Sequence, residues 1–348
     1  MNVQEITKKF IENPSRMTTG AGSLAKQYKC SIEDIYAARQ AARSKASIFS
    51  PSIPVDSSIY YVHTILDNLV SAESEYYEVA SYVGNPIKDK FNSGDKVLTP
   101  GIHIVMGCVH VPFQNRKMQE GVIELIKDLG NKVTGFHLIG DVLDMNSLSS
   151  HDQGKKPIDG ITLAYEYEEG NLYLDSFEKV LPKNIDKIWV SGNHEARYNT
   201  FISNTSNMKY SSAVPSPQKA LDLDRRGYKV LTDWKEDYYY LGNSLQLFHG
   251  EFYGQHPAMQ HMKRSNSSVM FVHSHRVSTY IENGLEGYNI GWGGDVTSPA
   301  FNYASRFTKQ NWQNAFSIVT LDNQGNSHVE TILVKNNRFY YNGKIYGS

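Results

Sequence analysis

Short apolar runs separated by helix-patterned segments constrain the fold of this chain most, and they begin near residue 101. Ile102 to Met106 and Val133 to Ile139 are apolar runs of strand length, whereas residues 118–129 repeat apolar side chains at helical spacing. A second helical stretch at 172–180 precedes the apolar run at 188–190. Strand-helix-strand alternation requires crossover connections, so this part predicts a mostly parallel central sheet with covered faces.

The later part of the chain has a different pattern, with strands and few helices between them. The turn dipeptide Asn342-Gly343 lies between two aromatic runs and predicts a tight β-hairpin. Both parts together predict an α/β fold, more narrowly an α+β sandwich of two sheets flanked by helices. The other strands predicted here are 245–248, 269–272, 288–290, 316–321 and 328–334.

The size and composition of the chain suit a protein with a full hydrophobic core. Its 348 residues are 40% hydrophobic and carry a formal net charge of -1. This balance excludes a strongly basic chain, so any contact with nucleic acid requires a local patch. Cys30 and Cys108 are too few for a disulfide framework, and no apolar run reaches the roughly 18 residues of a membrane helix. We therefore expect a soluble, cytoplasmic protein with no membrane partner.

Residues 1–48 predict a small separate helical unit. Ser31 and Asp34 form a capping-box pattern that opens one of its helices. Two short helices joined by a tight turn resemble a helix-turn-helix, and the unit has eight basic residues against four acidic ones. It either faces nucleic-acid phosphates or is a bundle docked on the main domain, and both interpretations stay open. Residues 49–100 are interpreted as a linker and accessory segment, and residues 101–348 as the main domain.

Side chains that bind metals follow five of the predicted strands. In α/β sheets the loops at the carboxyl ends of strands collect ligands, so we expect these side chains to meet at one edge. Mixed nitrogen and oxygen donors suit Mn, Fe, Zn or Ni better than Ca. In chain order the groups are Cys108 with His110, Asp141, Asn193 with His194, His249, and His273 with His275.

At these motifs the chain resembles the calcineurin-like metallophosphoesterases, whose motifs run Asp-x-His, Gly-Asp, Gly-Asn-His-(Asp/Glu), His and Gly-His-x-His. The order is complete here, and the similarity covers roughly residues 102–320. The stretches at 193–197 and 311–313 are most similar to members encoded in bacteriophage genomes. The resemblance implies hydrolysis of phosphate esters, and a phage origin would make the host cytoplasm the working compartment.

The resemblance also implies a role for each motif residue. Two divalent metal ions would be bound, with manganese expected first and zinc, iron or nickel as alternatives. Asp141 would bridge the ions, and His194 would donate a proton to the leaving oxygen or stabilise its charge. The first ion would be held by Cys108, His110, Asp141 and His275, and the second by Asp141, Asn193, His249 and His273.

The chain departs from the family pattern at two positions. Cys108 stands where the first motif usually has aspartate. A thiolate can bind Zn or Fe, so the first site either keeps its ion with a softer metal preference or is weakened and filled with the help of substrate. Val272, before His273, stands where the family usually has glycine, a difference that concerns the backbone.

Several residues near the motifs have open roles. Arg197 is a candidate for a bidentate grip on phosphate, with a solvated arginine as the alternative. Asp144 either pairs with a ligand histidine or caps the next segment. His103 and His137 are assigned no role. A loop after His249 is predicted to contact substrate through His256, His261, Lys263 and Arg264.

Three functions are compatible with the sequence. The first is a phosphodiesterase or nuclease acting on nucleic acid, with residues 1–48 helping to hold DNA and a homodimer in keeping with family nucleases. The second is a phosphomonoesterase acting on protein or nucleotide, because the motifs specify reaction at phosphorus and not the substrate. The third is a DNA-binding protein with a decayed catalytic site, as Cys108 suggests.

Overall fold

A computed structural model describes part of the N-terminal unit and most of the chain from residue 91 onward. Residues 49–90 of the predicted linker lie outside the described residues, as do Arg39 and Arg43 of the N-terminal unit. Within the described residues, no helix combines the length and apolar character needed to cross a bilayer. The described residues are 2–12, 21–31, 34–35, 37–38, 91–149, 161–204, 207 and 213–347.

The described helices and strands have the following bounds. The strands are β1 Lys96–Val97, β2 Gly101–Met106, β3 Val133–Ile139, β4 Asp186–Val190, β5 Tyr228–Leu231, β6 Tyr239–Leu241, β7 Leu245–Leu247, β8 Ser268–Phe271, β9 Val277–Glu282, β10 Leu285–Ile290, β11 Ala315–Leu321, β12 Ser327–Leu333, β13 Phe339–Tyr341 and β14 Lys344–Tyr346. The helices are α1 Val3–Glu12, α2 Ala21–Tyr28, α3 Arg116–Leu129, α4 Leu163–Glu178, α5 Ala196–Ser203, α6 Pro217–Ala220, α7 Pro257–Ser265 and α8 Arg306–Lys309. Short 3-10 turns lie at Gly130–Lys132, Asn146–Leu148 and Pro299–Phe301.

Two six-stranded sheets form the layers of the main domain. The first has the order β12-β11-β2-β3-β4-β5, with β2 to β5 parallel and β11 antiparallel to its neighbours. The second has the order β1-β6-β7-β8-β10-β9, in which β7 and β8 are parallel. The predicted sandwich of two mixed sheets flanked by helices is therefore confirmed. Because β1 pairs with β6, the sandwich includes residues that precede 101.

Burial of both faces of the first sheet explains its continuous apolar runs. In β3, Phe136 and Leu138 pack with side chains of α3 and α4, such as Val122 and Phe177. Ile139 instead packs between the two sheets. Since neighbouring residues of a strand point to opposite faces, a strand covered on both sides needs apolar residues at successive positions. The apolar runs at 102–106 and 133–139 have this origin.

The N-terminal unit has its own small core. Ile6 and Phe10 of α1 are buried against Leu24 of α2. The predicted capping box is present, because Ser31 N donates to Asp34 Oδ2 at 3.1 Å and Asp34 N donates to Ser31 Oγ at 3.0 Å. The described part is a compact helical cluster, and DNA binding by it stays a prediction.

The segment after His249 differs from the predicted loop, because residues 257–265 form helix α7. His261 is buried against Phe271, and its Nε2 accepts the backbone N–H of Glu251 at 2.9 Å. Ala258 and Met262, which are one helical turn apart, are buried in the same cluster with Val269 and Phe271 of β8. Two further residues of the predicted loop form ion pairs, Lys263 with Glu282 at 3.0 Å and Arg264 with Glu251 at 2.8 Å.

A buried chain of hydrogen bonds connects two histidines to which the sequence assigned no role. Thr99 O lies 2.7 Å from His103 Nε2, His103 Nδ1 lies 2.9 Å from His137 Nε2, and His137 Nδ1 lies 2.8 Å from the Tyr239 hydroxyl. Because the carbonyl accepts, His103 Nε2 carries a proton. His137 Nε2–H then donates to His103, and Tyr239 O–H donates to His137. Both rings are thus satisfied when neutral, and burial lowers the pKa of each.

We expect Tyr239→Phe to lower the free energy of unfolding by about 1–3 kcal/mol, because it leaves His137 Nδ1 buried without its donor. Denaturant titration near neutral pH measures this loss, and Tyr340→Phe at a 64% exposed position is the matched control. Equal effects of the two substitutions would contradict the prediction.

The free energy of unfolding should also fall as the pH drops below about 6.5, in both variants and in the wild type. Histidines in the unfolded chain bind protons at a higher pH than the buried His103 and His137 do, so acid favours the unfolded state.

Candidate metal centre

All seven predicted metal ligands lie together at one edge of the sandwich. Cys108 and His110 follow β2, Asp141 follows β3 and Asn193 follows β4, which are parallel neighbours in the first sheet. His249 follows β7, and the pair His273 and His275 follows β8, which are parallel neighbours in the second sheet. The carboxyl ends of both sets of strands therefore meet at the same place, as the sequence predicted.

A first cluster consists of Cys108, His110 and His275, whose donor atoms lie within 4.8 Å of one another. His110 Nδ1 lies 3.0 Å from Asp144 Oδ2, so it donates its proton there and leaves its Nε2 lone pair free. That Nε2 lies 3.1 Å from His275 Nε2. Two imidazoles that bind one ion at roughly 2.1 Å each have nitrogens about 3.0–3.4 Å apart. The spacing in this cluster suits adjacent ligands of one cation.

A second cluster surrounds His249 Nε2. Asn193 Oδ1 lies 3.0 Å from this atom, His273 Nδ1 3.2 Å and Asp141 Oδ2 3.3 Å. His249 Nδ1 lies 3.2 Å from Ile139 O and donates its proton to that carbonyl. Burial would lower the pKa of His249, but Asp141 outweighs burial and raises that pKa, so without a cation the ring favours a proton on Nε2 that faces the two oxygens. A metal ion would replace this proton and be held by the same nitrogen and oxygens.

Cys108 and Asp141 connect the two clusters. The Cys108 thiol also lies within 4.8 Å of donor atoms of Asp141 and His249, and it accepts the backbone N–H of His273 at 3.1 Å. Burial raises the pKa of Cys108 well above its usual value, helped by the negative charge of Asp141. Burial would also raise the pKa of Asp141, but His249 and His194 outweigh it and hold that pKa well below the usual range. The centre thus has a permanent carboxylate and a thiol that a bound metal would deprotonate.

Five of the seven ligand residues adopt left-handed backbone conformations. Non-glycine residues rarely have positive φ, and such strain clusters at functional sites. The turns after β2, β3 and β8 therefore hold these side chains at an energetic cost that the surrounding core must offset. The φ values are 44° for Cys108, 56° for His110, 49° for Asp141, 59° for His273 and 60° for His275.

The glycines of the motifs are required by close approach. A Cβ at Gly192 would lie 2.1 Å from Asp141 Oδ1, and a Cβ at Gly140 would lie 2.3 Å from His249 Nδ1. Gly107 explains how the chain accommodates Val272, since a Cβ at Gly107 would lie 3.0 Å from both methyl groups of that valine. The absence of a side chain before Cys108 makes room for the larger residue before His273.

Glu195 holds the loops of the candidate metal centre together, a role that the sequence analysis did not assign. Its carboxylate accepts backbone N–H groups from Asp141 at 3.0 Å, Leu143 at 2.8 Å and Gly192 at 2.8 Å. The residue is 3% exposed, and burial raises its pKa to about 7. Its place in the Gly-Asn-His-Glu motif was the available sequence signal. One buried side chain thus joins the loops that follow β3 and β4.

His194 lies beside the clusters and is oriented by two neighbours. Its Nδ1 donates to Asp144 O at 2.7 Å, and its Nε2 lies 3.9 Å from Asp141 Oδ2. Burial lowers the pKa of His194 to about 4, against the opposing charges of Asp141 and Asp144. The ring is therefore neutral near neutral pH in the protein alone. Proton donation by it requires that the negative charge of a bound phosphate raise this pKa.

Arg197 is engaged with this same group of residues. Its guanidinium donates to Asp144 O at 2.9 Å and contacts His194 Nε2 at 3.4 Å, with the side chain 21% exposed. Asp144 pairs with His110, which decides between its two predicted roles. A phosphate grip by Arg197 stays a prediction.

Aromatic rings enclose the first cluster and were not assigned to the site from sequence. Trp292 is 1% exposed and stacks on His275 with ring centroids 4.6 Å apart and an interplanar angle of 13°. Trp312 meets the same imidazole edge to face at 4.6 Å. His275 Nδ1 is buried with no hydrogen-bond partner among the described residues. Packing thus holds the orientation of this ring where hydrogen bonding does not.

The donor set fits divalent metal ions. It offers a shared carboxylate, an amide oxygen, a thiol and four imidazoles, with lone pairs directed at one another in each cluster. Such mixed sets suit Zn, Fe, Mn or Ni, and the thiol favours the softer of these ions.

Solved structures include proteins with some similarity to this chain. One is vacuolar protein sorting 29 of Cryptosporidium parvum, at 14% identity over 72% of this chain and 99% of that chain, with a TM-score of 0.40. Zinc-complexed Vps29 of Entamoeba histolytica has 12% identity over 70% and 95% of the two chains, with a TM-score of 0.37. A predicted phosphoesterase of Streptococcus pneumoniae has 11% identity over 72% and 100%, with a TM-score of 0.27. Similarities at this level establish neither activity nor substrate.

No protein-family model matches the chain, and no curated protein matches it. The fold and the site thus define the chain as an α/β sandwich with a candidate centre for divalent metal ions.

Proposed function

We propose that this chain is a calcineurin-like metallophosphoesterase that hydrolyses phosphodiesters of nucleic acid through a dinuclear metal centre. The observation that carries the proposal is the meeting of acceptor atoms around His249 Nε2, beside the separate pair His110 and His275. The two clusters share Cys108, and Asp141 lies against both of them. Motif order in the sequence and this arrangement support the same assignment by independent routes.

Bound divalent ions would polarise the phosphoryl oxygens and supply a hydroxide nucleophile. The protein residues hold and orient the reacting groups. Asp144 orients His110 through its Nδ1 proton and His194 through the backbone carbonyl. Arg197 lies next to His194, where positive charge can meet the non-bridging oxygens of the substrate. His194 is the side chain placed to transfer a proton to the leaving oxygen.

Nucleic acid as substrate is supported by the N-terminal unit. Its eight basic residues against four acidic ones contrast with the net charge of -1 of the whole chain. A bacteriophage origin, a cytoplasmic location and a homodimer belong to the same proposal, as predictions from the sequence.

The proposal is tested by stripping the metal from the protein and reloading it separately with Mn, Zn or Fe. Turnover of a chromogenic phosphodiester should depend on the added ion and exceed turnover of the matching monoester. A preference for the monoester would replace the proposal with a phosphomonoesterase. No turnover of either compound with any ion would instead support a decayed, DNA-binding protein.

Cys108 should be a metal ligand in the loaded protein. Cobalt-loaded wild type is expected to show a thiolate-to-cobalt charge-transfer band in the near ultraviolet, because the Cys108 thiol lies within 4.8 Å of donor atoms in both clusters. Cys108→Ser should lose that band, and Cys30→Ser is the matched control at the other free cysteine. The same band in Cys108→Ser would contradict the prediction.

Cys108→Asp should shift the ion that gives the highest turnover from zinc towards manganese, because a carboxylate replaces the softer thiolate.

A further inference from the structure

The segment that follows β10 and covers His275 is anchored on its inner side. Phe301 is 1% exposed and packs edge to face on Trp292 at 5.0 Å. Trp312 packs on Trp292 at 4.9 Å and on His275 at 4.6 Å. The backbone N–H of Gln313 donates to His275 O at 2.8 Å. Residues 296–312, named here the 296–312 platform, are thus joined through Trp312 to His275 of the first cluster.

The outer side of this platform exposes aromatic rings to solvent. The side chain of Tyr303 is 62% exposed and that of Phe307 is 76% exposed. The Tyr303 ring lies 6.4 Å from Trp312, so it is one ring removed from His275. Phe307 lies four residues after Tyr303 on the same short segment, so two largely exposed aromatic rings are available to a ligand near the candidate metal centre.

Basic residues accompany these rings. Arg306 forms no ion pair or side-chain hydrogen bond with the residues that the structure describes. Lys309 Nζ contacts Asn302 Oδ1 at 3.5 Å. Residues 296–312 contain no acidic residue. Both side chains line an open groove of about 460 Å³ together with Val296, Ala304 and Gln310.

We propose that the 296–312 platform binds single-stranded nucleic acid, with bases stacked on Tyr303 and Phe307 and phosphates on Arg306 and Lys309. Every base has a flat face that stacks on an aromatic ring, and phosphates meet the cations between such rings. A duplex keeps its bases stacked on one another and offers no free face to Tyr303 or Phe307. The inference rests on the proposed phosphoesterase function, because it specifies the strand that reaches that centre.

The test uses a fluorescent phosphorothioate oligothymidylate of about twelve nucleotides and the metal-loaded full-length protein, with affinity read from fluorescence anisotropy. Tyr303→Ala with Phe307→Ala is expected to weaken binding about 5- to 150-fold for each base that no longer stacks. Phe307→Leu should also weaken it, because leucine keeps an apolar contact without a flat ring. Tyr340→Ala, at a 64% exposed position of the β13-β14 hairpin, is the matched control and should bind as wild type does.

Charge is tested by the salt dependence of binding. Arg306→Gln with Lys309→Gln should reduce the slope of log affinity against log salt by about 1.4, or 0.7 for each phosphate that is no longer neutralised. Unchanged affinity in both double variants, or equal binding of single strand and duplex, would overturn the platform. Preference for an acidic peptide over the oligonucleotide would overturn it as well.

Failure of this inference and failure of the proposed function give different results. Wild-type turnover of the chromogenic phosphodiester without binding of single strand would remove the platform and leave the phosphoesterase. Binding of single strand that depends on Tyr303 and Phe307, without turnover of any ester, would keep the platform and remove the enzyme.

Discussion

Replacing His194 with alanine is expected to lower kcat by about 10²- to 10⁴-fold while the metal content stays unchanged. His194 Nε2 lies 3.9 Å from Asp141 Oδ2, so the ring faces the clusters from outside their closest contacts. Its Nδ1 proton is committed to Asp144 O, which leaves Nε2 as the atom that meets the leaving oxygen. Loss of this ring removes a proton-transfer group without removing a ligand.

The measurement is steady-state turnover of a phosphodiester together with metal analysis of the same sample. His328→Ala, at a side chain that is 65% exposed, is the matched control. If His194 protonates the leaving oxygen, a phosphodiester with a good leaving group should lose less rate than one with a poor leaving group, which needs the proton more. Equal loss for both leaving groups, or loss of metal, would assign His194 a different role.

Glu195→Ala is expected to lower the free energy of unfolding by about 3 kcal/mol or more, because it leaves three buried backbone N–H groups without an acceptor. Each unsatisfied group costs about 1–3 kcal/mol. The same loops carry Asp141 and Asn193, so metal affinity should fall with stability. Denaturant titration and metal-binding isotherms measure the two effects.

Two variants sharpen this prediction. Glu195→Gln keeps one oxygen acceptor but places an amide donor against the remaining N–H groups, so it should also be destabilised. Glu236→Ala, at an exposed carboxylate, should lie within about 0.5 kcal/mol of wild type. A Glu195→Ala protein as stable as the Glu236→Ala protein would show that water or loop movement satisfies the three groups.

Much of the fold and the candidate site could be predicted because the predicted ligands follow short, mainly apolar strands. The run before Asp141 reads as a buried strand in sequence, and the position of Asp141 at its carboxyl end follows from that assignment. The β13-β14 hairpin was predicted at Asn342-Gly343, where Asn342 has a φ of 45° and Gly343 a φ of 83°. At the end of β3 and at this hairpin, the structure that the local sequence predicts is the one that forms.

Other elements could not be predicted because their patterns are weak or mixed. Helix α7 has buried Ala258 and Met262 between polar residues, and His261 on it together with His256 before it favoured an interpretation as substrate contacts. Helix α4 starts at Leu163, whereas the sequence predicted a start near 172. The prediction missed the first part of the helix because its buried face includes Glu166 and Glu169. A buried carboxylate breaks the apolar periodicity on which a sequence prediction rests.

The sequence by itself determined which residues form the candidate metal centre, since strand ends, motif order and the glycines at 140 and 192 are local properties of the chain. The tertiary structure alone decided how they act together: Glu195 joins two loops, Asp144 orients His110, and Trp292 and Trp312 hold His275. The same holds for the 296–312 platform, because Trp312 packs on His275 and Tyr303 lies against Trp312. Contacts between residues far apart in the chain depend on the packing of two sheets, and no local pattern encodes that packing.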